Sequence, residues 1–180
     1  YLGLDCLRRD PTSQAALQDI RVRQAIAHAI DADGIIYHVL GGIGARTATG
    51  VTSMHFGYDG DAPRYAYNPE KAKHLLAEAG YPSGLRLNLH TYGGSIMCQR
   101  QVTEAIRGYL AQVGIQTDTQ YFEDVNTFAS YQQAGKLNDL VLGSWGSYSI
   151  FDADMLLHPL FHRAEPFTYL RLSTDDYNGR

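Results

Sequence analysis

The stretch Leu85-Arg86-Leu87-Asn88-Leu89-His90-Thr91 decides the architecture of this chain. Its leucines alternate with Arg86, Asn88 and His90, the period of a strand with one apolar face and one wetter face. Beyond it, Tyr92-Gly93-Gly94-Ser95 opens a helix predicted to run to about Val113, with Val102, Ile106, Tyr109, Leu110 and Val113 along one side. Gly114 ends that helix, Ile115 to Phe122 reads as a second strand, and Val125 to Ala134 reads as a helix closed by Gly135. Leu140-Val141-Leu142 is a short, fully apolar strand, as expected in a sheet covered on both faces. The order strand, helix, strand, helix, strand predicts right-handed crossovers and a central, mostly parallel sheet flanked by helices, an α/β fold.

Upstream, Asn68-Pro69-Glu70 is a helix start, with Asn as cap and Pro at the first helical position. Ala72, Leu75, Leu76 and Ala79 form the buried face of that helix, Gly80 ends it, and Tyr81-Pro82-Ser83-Gly84 makes the following turn. Further back, Val22, Ala25, Ile26, Ala29 and Ile30 fall at helical spacing behind Asp19, a carboxylate placed to cap orphan N–H groups. A second short helix is expected from Ala32 to Leu40, stopped by Gly41-Gly42-Ile43-Gly44. Leu2 to Leu7 reads as an entry strand broken at Asp10-Pro11, and residues 45–67 as a long loop, functional or folded on itself. A last helix is predicted over Asp152 to Phe161 and an edge strand over Tyr169 to Leu172.

The 180 residues suit one domain, and 44% hydrophobic with 19% charged residues is ordinary for a globular protein. A net charge of −4 without a Lys/Arg cluster argues against a nucleic-acid partner or an anionic membrane surface. No run reaches the ~18 apolar residues of a membrane-spanning helix. No signal peptide is visible, and Tyr1 is not an initiator Met, so the chain reads as a piece of a longer protein. Cys6 and Cys98 read as ordinary half-buried thiols, although sequence leaves open whether they pair. No nucleophile elbow or P-loop occurs, and Gly42-Ile43-Gly44-Ala45-Arg46-Thr47 lacks the third glycine of a dinucleotide fingerprint and follows a helix rather than a strand. Asp152 and Asp154 are two apart and do not face each other on a helix, so a catalytic carboxylate pair is not supported. A non-catalytic protein without a cofactor is expected.

Three segments carry a family likeness. The first is Asp19-Ile20-Arg21-Val22-Arg23-Gln24-Ala25-Ile26-Ala27-His28-Ala29-Ile30-Asp31, preceded by Tyr1-Leu2-Gly3-Leu4-Asp5. The second is Tyr67-Asn68-Pro69-Glu70-Lys71-Ala72-Lys73-His74-Leu75-Leu76-Ala77-Glu78-Ala79-Gly80-Tyr81-Pro82. The third joins Leu110-Ala111-Gln112-Val113-Gly114-Ile115 to Leu142-Gly143-Ser144-Trp145-Gly146 and Pro159-Leu160-Phe161. Together they closely resemble the extracytoplasmic solute-binding proteins of ABC importers, in the branch that includes dipeptide-, oligopeptide- and nickel-binding members. The resemblance implies one lobe of a periplasmic-binding-protein-like type II fold. Residues 1–180 would be the second lobe, with the first lobe absent from this chain. It also implies a periplasmic or surface-anchored location, capture of a small solute between two lobes, and delivery to the permease subunits of an importer.

In open α/β sheets ligands sit beyond the carboxyl ends of strands. That rule marks Tyr92, Gly93 and Gly94 after one strand, and Ser144, Trp145, Gly146, Ser147 and Tyr148 after another, as candidate ligand-binding residues. Family members line the cleft with this tryptophan loop; the alternative for Trp145 is a core residue plugging the sheet end. Peptide-binding relatives usually carry an Asp three residues after the Trp, to pair with the peptide's amino group, where this chain has Tyr148. Asp152 or Asp154 would have to take that role. Peptide is the leading solute class; an oligosaccharide, an amino-acid conjugate or a chelated metal such as nickel are the alternatives. His158 and His162 stand at i, i+4, a chelating spacing also common among partly exposed histidines, and Arg46 and Arg100 are either carboxylate receivers or solvated surface groups.

Overall fold

The computed structural model describes residues 1–6, 14–47, 49–94, 97–145 and 151–161. In chain order the elements are β1 (Leu2–Leu4), a 3-10 turn (Ala15–Gln18), α1 (Ile20–Ala29), α2 (Ala32–His38), α3 (Pro69–Glu78), β2 (Leu85–Tyr92), α4 (Gln99–Gln112), β3 (Ile115–Phe122), α5 (Val125–Gln133), β4 (Leu140–Leu142) and α6 (Asp154–Phe161). The strands form one sheet in the order β1-β4-β2-β3. β2 pairs in parallel with β3 from Leu85↔Ile115 to Tyr92↔Phe122, and with β4 from Leu89↔Leu140 to Thr91↔Leu142. β1 runs antiparallel to β4, Leu2 opposite Leu142, so the sheet is mixed and mostly parallel, as the element order predicts.

Alternation along β2 separates two unequal layers. Leu87 and Leu89 point into the main core with Leu140, Leu142 and Ile115, beneath Val22, Ala25 and Ile26 of α1, Ala72 and Leu76 of α3, and Val102, Ile106 and Leu110 of α4. The opposite face carries a small cluster of Phe122, Val141, Phe128 and Leu137, with Tyr92 packed against it. The wetter face expected from Arg86, Asn88 and His90 is therefore wet at one end only. Arg86 is exposed and pairs with Asp118 at 2.9 Å, whereas His90 is buried beside Phe122, its Nε2 2.7 Å from Asn138 Oδ1. α5 covers that end of the face and leaves the other to solvent-borne charges.

Local chemistry fixes the helix ends. The Asp19 carboxylate accepts the Arg21 N–H at 2.8 Å at the start of α1. Hydrogen bonds from the Arg21 guanidinium, then from its N–H, hold the Asp19 carboxyl down to about 2. Asn68 Oδ1 accepts from Lys71 N–H at 2.9 Å ahead of Pro69, and the Asn68 N–H donates to His28 O at 2.8 Å, joining α3 to α1. At Gly84 (φ 83°) an added Cβ would lie 2.0 Å from Gly114 O, so the turn into β2 and the turn into β3 pass backbone against backbone.

Two helices begin later than predicted. α4 starts at Gln99, not near Ser95, because Cys98 adopts φ 55°, a left-handed conformation that a helix cannot pass through. α6 starts at Asp154 because Asp152 is engaged in a parallel bridge with Phe56. β1 ends at Leu4, and the expected strand over Tyr169 to Leu172 lies outside the described residues. Cys6 and Cys98 are both free and half-buried. No helix among the described residues is long and apolar enough to cross a membrane.

Candidate functional site

The carboxyl ends of β2 and β4 are neighbours in the sheet, because Thr91 is in register with Leu142. The loops that follow them leave the sheet side by side. They have different fates.

After β2, Gly93 N–H donates to Phe122 O at 3.0 Å and ties the turn to β3. The Tyr92 ring lies against Phe128, centroids 4.4 Å apart, and so belongs to the small aromatic core. Gly94 (φ 85°) completes the turn, with open space where a Cβ would stand. After β4, Gly143 and Tyr1 exchange main-chain hydrogen bonds of 2.9 and 3.1 Å, and Ser144 is half-buried. Trp145 is also half-buried, and its indole Nε1–H donates to Met155 O at 2.8 Å. Gly146, Ser147, Tyr148 and His162 lie outside the described residues.

One face of Trp145 borders a cavity of about 260 Å³, shared with Gly50, Val51, Thr52, Met54, His55, Asp152, Met155 and Leu156. The walls come from chain segments far apart. The segment 50–55 belongs to the long loop, which is folded on itself: Thr47 Oγ1 donates to Thr49 O, Thr49 Oγ1 to Val51 O, and His55 N–H to Thr52 O. It is fastened to the start of α6 by Phe56 N–H to Phe151 O at 2.9 Å and Ala153 N–H to Phe56 O at 3.0 Å. Gly50 lets the loop close on α6, since an added Cβ would meet Leu156 Cδ2 at 2.7 Å.

Asp152 lines this cavity, while Asp154 is exposed and uses its N–H to donate to Asp152 Oδ1 at 2.9 Å. Between the two acids, the structure brings Asp152 to Trp145. The arginines lie elsewhere. Arg46 donates to Tyr65 O and stands 3.7 Å from Asp33, bordering a separate groove under β1 and α1. Arg100 lies over the Tyr121 ring and 3.7 Å from Glu123. His158 is exposed on α6, and no three His, Cys, Asp or Glu among the described residues gather as metal ligands.

The anchor beneath the site is one that sequence reading passed over. Asp139 is fully buried at φ 56°, and its carboxylate accepts from Gln14 N–H at 2.7 Å, Asn88 N–H at 2.8 Å and Asn88 Nδ2 at 3.1 Å. Its own carbonyl accepts Asp5 N–H at 2.8 Å. These bonds join the chain before α1, β2 and the residue after β1 at the foot of β4, so they set where β4 delivers Trp145. A buried carboxylate is tolerated only with such a set of donors. The Asn138-Asp139 pair, read by itself, looks like any polar turn.

Residues 1–167 match the family described as bacterial extracellular solute-binding proteins, family 5 middle. The chain is 32% identical over 153 residues to heme-binding protein A of Haemophilus influenzae, covering 83% of this chain and 27% of that protein. It is 34% identical over 113 residues to the dipeptide-binding protein of Escherichia coli K12, covering 59% of this chain and 21% of that one. Its fold superposes on HbpA2 from Haemophilus parasuis with a TM-score of 0.82 at 30% identity, over 96% of this chain and 33% of the other. The chain thus spans about a fifth to a third of the length of these relatives. It belongs to the bacterial extracellular solute-binding proteins of family 5, and its mixed sheet with flanking helices is part of a lobe of the periplasmic-binding-protein type II fold.

Proposed function

We propose that residues 1–180 are the second lobe of a two-lobe binding protein that captures a small solute and hands it to the permease subunits of an ABC importer. The lobe performs no chemistry on the solute. The whole protein works in the periplasm or tethered at the cell surface. The observation that carries this reading is the cavity of about 260 Å³ beyond the carboxyl end of β4, lined by both Trp145 and Asp152. A half-exposed indole is a poor choice for a core and a good one for a ligand surface, because its ring offers apolar area and its N–H is already satisfied. Solute binding between lobes is a hinge motion, driven by contacts that exist only in the closed state. A lobe with a ready-made half-site fits that use.

The solute class we favour is a peptide or another amino-acid derivative with a free ammonium. Among the described residues that line it, the cavity has one carboxylate and no Lys or Arg. A carboxylate beside an aromatic face is matched by a cation. Asp152 then takes the amine that relatives place on the position occupied here by Tyr148. The dipeptide-binding relative at 34% identity supports the same class. Native mass spectrometry of the full-length protein from its own host tests this reading. The expected result is a co-purified, amine-bearing mass whose occupancy falls in Trp145→Ala. Undiminished occupancy in Trp145→Ala would remove the cavity from the binding site.

A further inference from the structure

We infer that the arm 49–56 forms a wall of the solute site and that His55 is its specificity-determining group, giving a hydrogen bond to a carbonyl or carboxylate oxygen of the solute. This rests on the solute-binding reading above and deepens it. The sequence assigns no role to His55, which lies in a stretch without periodicity.

Three observations support the assignment. First, His55 and Asp152 border the same cavity as Trp145, although almost a hundred residues separate the histidine from the carboxylate. The two main-chain bonds between Phe56 and the 151–153 segment hold them in that relation. Second, the imidazole is oriented. Its Nδ1 is 2.9 Å from Thr52 Oγ1, and its ring meets the edge of Phe151 with centroids 5.5 Å apart and planes inclined by 70°. In the tautomer in which the Thr52 hydroxyl donates to Nδ1, the ring's other nitrogen, Nε2, carries the hydrogen and is a donor, and this is the tautomer the inferred hydrogen bond requires. Third, the described lining also includes Met54, Met155, Leu156 and Val51, an apolar and adaptable surface. A carboxylate, an N–H donor and an apolar floor within about 260 Å³ form the pattern for one amino-acid headgroup: ammonium on Asp152, carbonyl oxygen on His55, side chain against the methionines and Trp145.

The arm is also the exposed rim of the site. Met54, which lines the cavity, is 69% exposed, and Phe56 next to His55 is 80% exposed, so neither lies in the core. Loss of the His55 side chain therefore removes a contact without opening the fold.

The test is titration calorimetry of the full-length two-lobe protein with L-alanyl-L-alanine as probe, in wild type, His55→Ala, His55→Gln and Trp145→Ala, with unfolding midpoints measured for each. The expected result is roughly tenfold weaker binding in His55→Ala, at an unchanged midpoint. His55→Gln, whose carboxamide keeps an N–H donor, recovers to within about threefold of wild type. Wild-type affinity in His55→Ala together with weakened binding in Trp145→Ala overturns the His55 assignment and leaves the cleft reading standing. Equal losses in His55→Ala and His55→Gln overturn the donor role. Wild type that takes up no dialanine at millimolar concentration overturns the amino-acid class in both readings.

Discussion

The two loops at the carboxyl end of the sheet look alike in sequence and differ in structure. Each places an aromatic residue beside glycines at or just beyond the carboxyl end of a strand. Both aromatics are half-buried, but Tyr92 lies against Phe128 at the edge of the small core beneath α5, whereas Trp145 borders a cavity. The difference lies in the neighbours. Tyr92 meets α5, a helix only nine residues long that supplies Phe128 and, across a turn, Leu137. Trp145 meets a folded loop and the first turn of α6, which fill less space and leave room. An aromatic residue at a strand end becomes a site only where the opposing wall is built from segments that do not pack fully.

The largest effect expected from this contrast is on the Tyr92 side. Phe128→Ala removes the ring between Tyr92 and Phe122 and should cost about 3–5 kcal/mol of folding stability in urea titrations. Dialanine affinity of the protein that remains folded should not change. A loss below 1 kcal/mol, on the order of a surface substitution, would mean that the small cluster is not a core.

Next in size is Trp145→Ala, which should weaken solute binding by about 1–2 kcal/mol through lost aromatic contact, while its stability loss stays well under that of Phe128→Ala. If the two variants lost equal stability and neither lost affinity, the contrast between the loops would collapse.

Acid separates the regions further. Asp124 caps α5, and the Thr127 N–H, the Thr127 hydroxyl and the Asn126 N–H, at 2.9, 2.7 and 3.0 Å, hold its carboxyl below the usual carboxylate range. A folded-state value below the unfolded one gives stability that is present above the unfolded value of about 4 and is lost as pH falls through the folded value. Asp19 adds the same sign at α1, with its folded value at about 2. Urea midpoints should therefore drop between about pH 4 and pH 2, and Asp124→Asn should flatten part of that fall. An unaltered acid limb in Asp124→Asn would show that the cap does not hold α5.

The smallest effect sharpens the comparison most. Tyr92→Phe keeps the ring and deletes the hydroxyl, and should shift both stability and dialanine affinity by no more than about 0.5 kcal/mol. A clear loss of affinity would place Tyr92 on the binding surface.

What the sequence makes legible follows the same division. α1, α3 and β2 are read correctly because each carries its own signal: Asp19 and Asn68 as caps, Pro69 at a first turn, and leucines at every second position. The place of Trp145 just beyond the end of an apolar strand is legible as well. The start of α4 is not, because the left-handed Cys98 leaves no mark that distinguishes it from a helical residue. The burial of His90 depends on where α5 lands, and the joining role of Asp139 depends on Gln14 and Asn88 arriving from distant parts of the chain. The wall formed by Thr52, Met54 and His55 depends on a bridge between Phe56 and Asp152, a pairing that no local pattern announces.

A crystal structure of the full-length protein with its co-purified solute decides whether the Trp145 cavity is the binding site. Solute density is expected against the Trp145 ring, with an ammonium at Asp152 and an oxygen at His55, enclosed by the other lobe. Solute density elsewhere, with the Trp145 cavity filled by protein side chains, would contradict that assignment.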